Sequence, residues 1–191
     1  MPTRRELLSI PCLLGLPAVA VASLPPESAR SRVAVARVRP TLQTELSAAG
    51  LRLGAPLFLR ICKAESTLEA FLDDGKRYRR FRSFPICAWS GALGPKLREG
   101  DGQSPEGFYR VRAGQLNPAS QFHLSFDLGF PNDYDRAHGR TGSYLMVHGR
   151  CVSIGCYAMT DSGIEVIWTL LSAALAGGKS AVAVHAFPFR M

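Results

Sequence analysis

Short runs of β-forming residues, set off by turn residues, dominate the pattern of apolar and polar positions along the chain. The run Pro56–Lys63 (PLFLRICK) is rich in apolar and β-forming side chains, and Leu68–Leu72 follows as its partner. Arg77–Ser90 alternates aromatic and basic residues in YRRFRSF before entering the apolar PICAW. Phe108–Val111, Gln121–Phe126, Tyr144–His148 and Ala181–Phe187 are further strand candidates. Two segments carry helical spacing instead. Thr41–Gly50 has a capping threonine, apolar positions at helical intervals and a terminal glycine. Gly163–Ala176 puts Ile164, Ile167, Leu171 and Leu175 on one face. There Ser162 and Glu165 predict a Ser-x-x-Glu capping box, and Gly177-Gly178 ends the helix. Between these elements Gly91–Glu106, with four glycines and two prolines, reads as a long loop. Six or seven strands with two helices predict a mainly β domain with a helix packed on it. No phosphate-binding glycine loop opens a helix, and no βαβ alternation is present.

Composition narrows the class. A length of 191 residues favours one domain. With 47% apolar and 20% charged residues the chain is neither a disordered tail protein nor a charge-rich coiled coil. Its 18 glycines and 13 prolines follow no period, which excludes collagen-like and solenoid architectures. The net charge of +8 suits nucleic acid, acidic membrane surfaces or polyanionic cell-wall material, and does not choose among them.

The amino terminus chooses a compartment. Arg4 and Arg5 precede an uncharged, mostly apolar stretch, Leu7–Ser23, which is short for a membrane span and broken by Pro11 and Pro17. Ala18-Val19-Ala20 and Ala20-Val21-Ala22 have the small-residue spacing that a signal peptidase reads. Residues 1–23 therefore read as a signal peptide or an uncleaved N-terminal anchor, 24–40 as a linker, and 41–191 as the folded domain. Export to the periplasm or cell envelope is expected, and with it no nucleic-acid partner. An oxidising compartment also permits disulfides among Cys62, Cys87, Cys151 and Cys156, in any of three connectivities.

Candidate chemistry concentrates in residues 146–161. A strand ends at His148, Gly149 lets the chain turn, and Cys156 sits behind Gly155, eight residues after the histidine. A protonated thiol is a weak nucleophile and needs a base within hydrogen-bond reach, which His148 can supply. Gly155 lets an acyl group and its oxyanion approach the backbone N–H groups around Cys156. Spacing alone leaves three other readings open. Cys156 can pair with Cys151, can join His148 and Cys151 in a zinc site that lacks an evident fourth ligand, or can be an inert buried thiol.

The same residues closely resemble the L,D-transpeptidase catalytic domain of YkuD type, whose signature is a histidine and a small residue followed by Ser/Thr-x-Gly-Cys. His148-Gly149 matches the first part and Ser153-Ile154-Gly155-Cys156 the second. The short gap between them looks like the YafK-like branch. Ser90-Gly91-Ala-Leu-Gly94-Pro95-Lys96, Gly100–Tyr109 and Gly129–Arg136 agree with that branch, and the likeness runs over roughly residues 55–190. Two departures stand out: the branch's chains continue past Phe187–Met191, and Ser104 replaces a more usual threonine.

The resemblance implies a mixed β-sandwich or barrel-like catalytic domain spanning 41–191. It implies a cysteine acyl-transfer enzyme acting on peptidoglycan stem peptides at the L-centre of diaminopimelate, with no metal and no cofactor. Cys156 would be the nucleophile, His148 the base, and the backbone carbonyl near Gly149 its orienting group. Ser153, Gly155, Tyr157 and Arg140 would contact substrate. The branch is associated with hydrolytic release of peptidoglycan-linked lipoprotein, a partner expectation that follows. The alternatives are cross-link formation, lipoprotein attachment, or an inactive peptidoglycan-binding module. His123 and His185 read as packed strand residues, His138 as a possible neighbour of substrate carboxylates, and Arg77–Arg82 as a solvated strand face.

Overall fold

The computed structural model describes residues 24–190; the signal or anchor segment 1–23 lies outside the described residues. The β-forming runs become nine strands of one mixed, barrel-like sheet: β1 (Leu57–Cys62), β2 (Thr67–Asp73), β3 (Tyr78–Ala88), β4 (Gly107–Val111), β5 (Leu116–Asn117), β6 (Ser125–Asp127), β7 (Met146–His148), β8 (Tyr157–Met159) and β9 (Val182–Phe187). The spatial order is β4-β9-β1-β2-β3-β8-β7-β6-β5. Two neighbouring pairs, β1–β9 and β7–β8, are parallel, and the rest are antiparallel. Alternation sends Leu57, Leu59 and Ile61 of β1 and Val182, Val184 and Ala186 of β9 into the core, against the second of the two long helices.

Those helices are α1 (Ala29–Ala48) and α3 (Asp161–Ala176), with a five-residue α2 (Asp133–Ala137) between them. In α3 the predicted apolar face is buried, together with Trp168, Leu170 and Ala174. Its start differs from expectation. Thr160, not Ser162, is the cap, accepting the Gly163 N–H at 3.0 Å, and Glu165 turns away from the cap toward Arg37 and His123. In α1 the departure is larger. Most of the segment expected as a linker is helix, capped by Ser28 and running through Pro40 without interruption. Its buried residues are Ser31, Ala34, Leu42 and Leu46. Two of these four are small, and that hides the stripe from a hydropathy reading.

Other expectations were too long or missed. Gln121–Phe126 contributes only β6 from Ser125 onward, and Tyr144–His148 only β7. The short β5, β8 and α2 carry too few residues to display a period. Cys87 and Cys151 form a disulfide joining β3 to the loop after β7, whereas Cys62 is a buried free thiol in β1. The basic run on β3 is a paired face: Arg79 meets Asp74, Arg80 meets Glu69 and Arg82 meets Glu45.

Candidate active site

Parallel pairing of β7 and β8 puts Val147 opposite Tyr157 and His148 opposite Ala158. One step back in that register Met146 faces Cys156, and the Met146 N–H points at the Cys156 Sγ, 3.4 Å away. His148 lies two residues beyond Met146, so imidazole and thiol project from the same face of the sheet. The thiol's other contact is the Tyr144 carbonyl at 3.8 Å, so Sγ is not hydrogen-bonded to the ring in this structure. Such contacts commonly tighten only when substrate is bound.

The histidine is oriented by the backbone. Its Nδ1 lies 2.6 Å from the Gly149 carbonyl oxygen. A carbonyl can only accept, so Nδ1 carries the proton and Nε2 keeps its lone pair. Burial holds the imidazole below its ordinary pKa, with the Gly149 hydrogen bond acting in the opposite direction. Burial likewise pushes the Cys156 thiol up, and the nearby Asp127 carboxylate adds to the rise; the Met146 N–H and Lys96 pull it down. At neutral pH the pair is thus a thiol facing a neutral base.

Gly149 serves through its size. A Cβ there would lie 2.6 Å from the Asp161 carboxylate and 3.0 Å from the Phe122 carbonyl. The reversal expected at this glycine is made instead by Arg150 and Cys151, both at positive φ. Gly155 does need its freedom, with φ at +119°.

Three serines brace the loop of the candidate nucleophile. The Cys156 carbonyl accepts from Ser153 Oγ at 2.7 Å and from Ser104 Oγ at 2.9 Å. With its proton spent there, Ser153 Oγ accepts from Ser90 Oγ at 3.1 Å, while Ser90 Oγ accepts the Gly155 N–H at 2.9 Å. Two corrections follow. Gly155 cannot lend its N–H to an oxyanion without breaking that bond, so the Cys156 N–H, which has no acceptor among the described residues, is the available donor. Ser153 braces the loop rather than presenting a free hydroxyl to substrate.

Tyr157 is also reassigned. It is wholly buried, its hydroxyl donates to the Pro105 carbonyl at 2.7 Å, and burial keeps the phenol neutral. It packs the core and cannot touch substrate. Arg140 is held by buried Asp135 at 2.8 Å and lies over the Tyr134 ring. It lines a cavity of about 870 Å³ with Arg110, Arg112, Asp127 and Tyr134, a cavity whose lining includes neither Cys156 nor His148. His138 stacks on Tyr134, His185 packs between Phe58 and Phe108, and His123 bonds Glu165 at 2.7 Å. Cys151, bonded to Cys87, is removed from any zinc set and from pairing with Cys156.

Sequence reasoning missed Ser90, Ser104 and Asp127. The serines stood inside motifs already noticed, Ser90-Gly91 and Ser104-Pro105, which was the available signal. Beneath them lies Lys63, fully buried. Its ammonium donates to the carbonyls of Ala92, Gly94 and Ser104 at 2.8–3.1 Å and pairs with Glu106 at 3.0 Å. It fastens the 91–106 loop, and hence Ser104, against the Cys156 carbonyl.

A barrel-like β domain that holds a backbone-oriented imidazole at the end of one strand and a thiol just before the neighbouring strand defines a class of candidate cysteine–histidine site. Residues 58–181 match the family described as the L,D-transpeptidase catalytic domain, YkuD, and the chain belongs to that family. It is 50% identical over 139 residues to the protein named "Putative L,D-transpeptidase YafK" in Escherichia coli K12 and O157:H7. That alignment covers 73% of this chain and 56% of each relative, so the chain spans little more than half the length of the curated relatives it matches. The fold is shared with the helical cell shape determining protein Pgp2 of Campylobacter jejuni (TM-score 0.54, 22% identity, 78% of this chain and 56% of that one). It is shared too with Bd1075 of Bdellovibrio bacteriovorus (TM-score 0.51, 18% identity, 71% and 49%).

Proposed function

We propose that the protein is an exported cysteine acyl-transfer enzyme that acts on peptidoglycan stem peptides at the L-centre of diaminopimelate. The observation that carries this reading is the Nδ1 hydrogen bond of His148 to the Gly149 carbonyl, which leaves Nε2 free on the face that bears the thiol. Nε2 takes the Cys156 proton as Sγ attacks the acyl carbonyl, and the Cys156 N–H receives the oxyanion. Collapse expels the amine, protonated by the imidazolium, and leaves a thioester. His148 then deprotonates the acceptor, which displaces the thiolate and restores the thiol. With water as acceptor the outcome is hydrolysis, here release of a peptidoglycan-linked lipoprotein.

Family membership supports the substrate class, and the identity to YafK supports the branch. The Cys87–Cys151 disulfide supports an oxidising, extracytoplasmic location. Arg140, fixed by Asp135, is suited to hold a stem-peptide carboxylate in the adjacent cavity. Mass spectrometry of the protein incubated with muropeptides tests the reading. Wild type is expected to show a Cys156-linked acyl adduct and hydrolysed product, and Cys156→Ala neither, with its fold retained. Product formed equally by Cys156→Ala would end the thiol mechanism, and an amine-linked product would replace hydrolysis with transpeptidation.

A further inference from the structure

Helix α1 precedes the family-matched segment 58–181, yet its N-cap Ser28 and its Arg30 and Arg37 reach the segment that contacts the candidate base, or its neighbour Glu165. Ser28 Oγ donates to the Pro118 carbonyl at 2.8 Å. Arg30 Nη1 donates to the carbonyls of Ser120 at 2.6 Å and His123 at 2.8 Å. Further along, Arg37 pairs with buried Glu165 of α3, whose Oε1 also meets His123 Nε2 at 2.7 Å. All these bonds converge on residues 118–123, which form turns and bends rather than helix or strand. A segment of that kind takes its position from what holds it.

What it presents to the site is Phe122. The ring lies 4.7 Å from the His148 imidazole, tilted by 38°. The Phe122 carbonyl accepts the Gly149 N–H at 3.0 Å, and the Gly149 carbonyl in turn orients Nδ1 of His148. Phe122 thus reaches the base in two ways, directly through its ring and indirectly through Gly149, the residue whose carbonyl fixes the tautomer.

We propose that α1 positions His148, with Ser28 and Arg30 anchoring residues 118–123 so that Phe122 holds the imidazole and keeps water from it. Ser28, Arg30 and Phe122 are positioning residues; none needs to touch substrate. The ionisable groups on the surrounding elements are His123, Asp127 on β6, Arg150, Cys156 and Asp161 at the start of α3, and the imidazole's hydrogen bond goes to the Gly149 carbonyl rather than to any of them. Loosening the segment therefore acts through hydration and ring orientation. The inference rests on the reading of His148 as base.

The test follows the His148 ring by NMR across pH in the full chain, its signals assigned by their loss in His148→Gln, alongside acylation of Cys156 by a carbapenem. Arg30→Ala is expected to move the His148 titration upward, toward the ordinary value of 6.5, and to slow acylation near pH 6.5 about tenfold. Arg30→Lys is expected to recover part of both. Phe122→Ala, at a position already 41% exposed, is expected to give the larger shift without unfolding the protein. Arg32→Ala serves as control, because Arg32 pairs with Glu27 on the exposed side of the same helix, and it is expected to behave as wild type. An unchanged titration in both Arg30→Ala and Phe122→Ala would overturn the proposal, as would an equal shift in Arg32→Ala. The titration needs no substrate, so the two failures are told apart: a wild-type protein without acylation activity would sink the catalytic reading on which this one rests, whereas an unchanged titration in an active enzyme would sink the positioning alone.

Discussion

Burial acts on Cys156 and His148 in opposite chemical senses and to one end. It raises the thiol and lowers the imidazole, so at neutral pH the first keeps its proton and the second stays ready to take it. Two consequences can be measured. In wild type the acid limb of acylation tracks protonation of His148, so its midpoint is expected below 6.5; a midpoint clearly above that value would contradict the burial argument. In His148→Ala the rate at pH 7 is expected to fall by roughly 10²–10⁴-fold. Alkaline recovery is expected only above pH 9, because the buried thiol titrates above its ordinary value of 9.0. A variant as fast as wild type at pH 7 would remove His148 from the mechanism. Cys156 and His148 stood out in the sequence as candidates because the chemistry proposed for them restricts which residue types can stand there, whereas Gly149 was singled out for a turn that Arg150 and Cys151 make. Tyr157 was misread because it follows the candidate nucleophile in sequence, whereas strand alternation turns it inward. Ser90 and Ser104 were not legible as site residues, since they meet the Cys156 loop from 52 to 65 positions away.

Between residue and molecule, the element that most needs explaining is the 91–106 loop, longer than most connections and almost without regular structure. It keeps its shape because Lys63 supplies from below the hydrogen bonds a strand neighbour would otherwise provide. Burial lowers the lysine's pKa, and the hydrogen-bonded Glu106 carboxylate opposes that fall. Lys63→Met strands three carbonyls and a nearly buried carboxylate, and is expected to cost about 3–5 kcal/mol in denaturant unfolding. Adding Glu106→Gln to Lys63→Met is expected to return part of that loss, because it removes the stranded charge. A Lys63→Met protein as stable as wild type would mean the loop holds itself. At this scale the sequence revealed the strands that carry long apolar runs and the apolar face of α3. It showed the second part of α1, within the helix expected over Thr41–Gly50, but concealed the first, whose inward face is Ser31 and Ala34, and β8, which is three residues long and recognisable only by its partners β3 and β7.

Across the whole molecule, two segments far apart in sequence are joined covalently in the middle of the sheet. Cys87 closes β3 and Cys151 opens the loop that carries Cys156, 64 positions apart, so the disulfide closes a large part of the fold. The cysteine count allowed this pairing without selecting it, since only the fold brings β3 beside β8. Closing a loop of that length restricts the unfolded chain and contributes about 2–4 kcal/mol. The bonds that organise the site are local to it, however: Nδ1 of His148 to Gly149, the Gly155 N–H to Ser90, and the Cys156 carbonyl to Ser104 and Ser153. None passes through sulfur, and the Cys151 N–H keeps its own bond to the Met159 carbonyl at 3.3 Å. The double variant Cys87→Ser/Cys151→Ser is therefore expected to melt lower by roughly 5–15 °C while still acylating Cys156 at 25 °C. Thermal unfolding and adduct formation, measured on the same preparation, separate the two effects. An unchanged Tm would show that the bridge does not restrain the unfolded chain as argued, and an inactive but folded variant would make it part of the site.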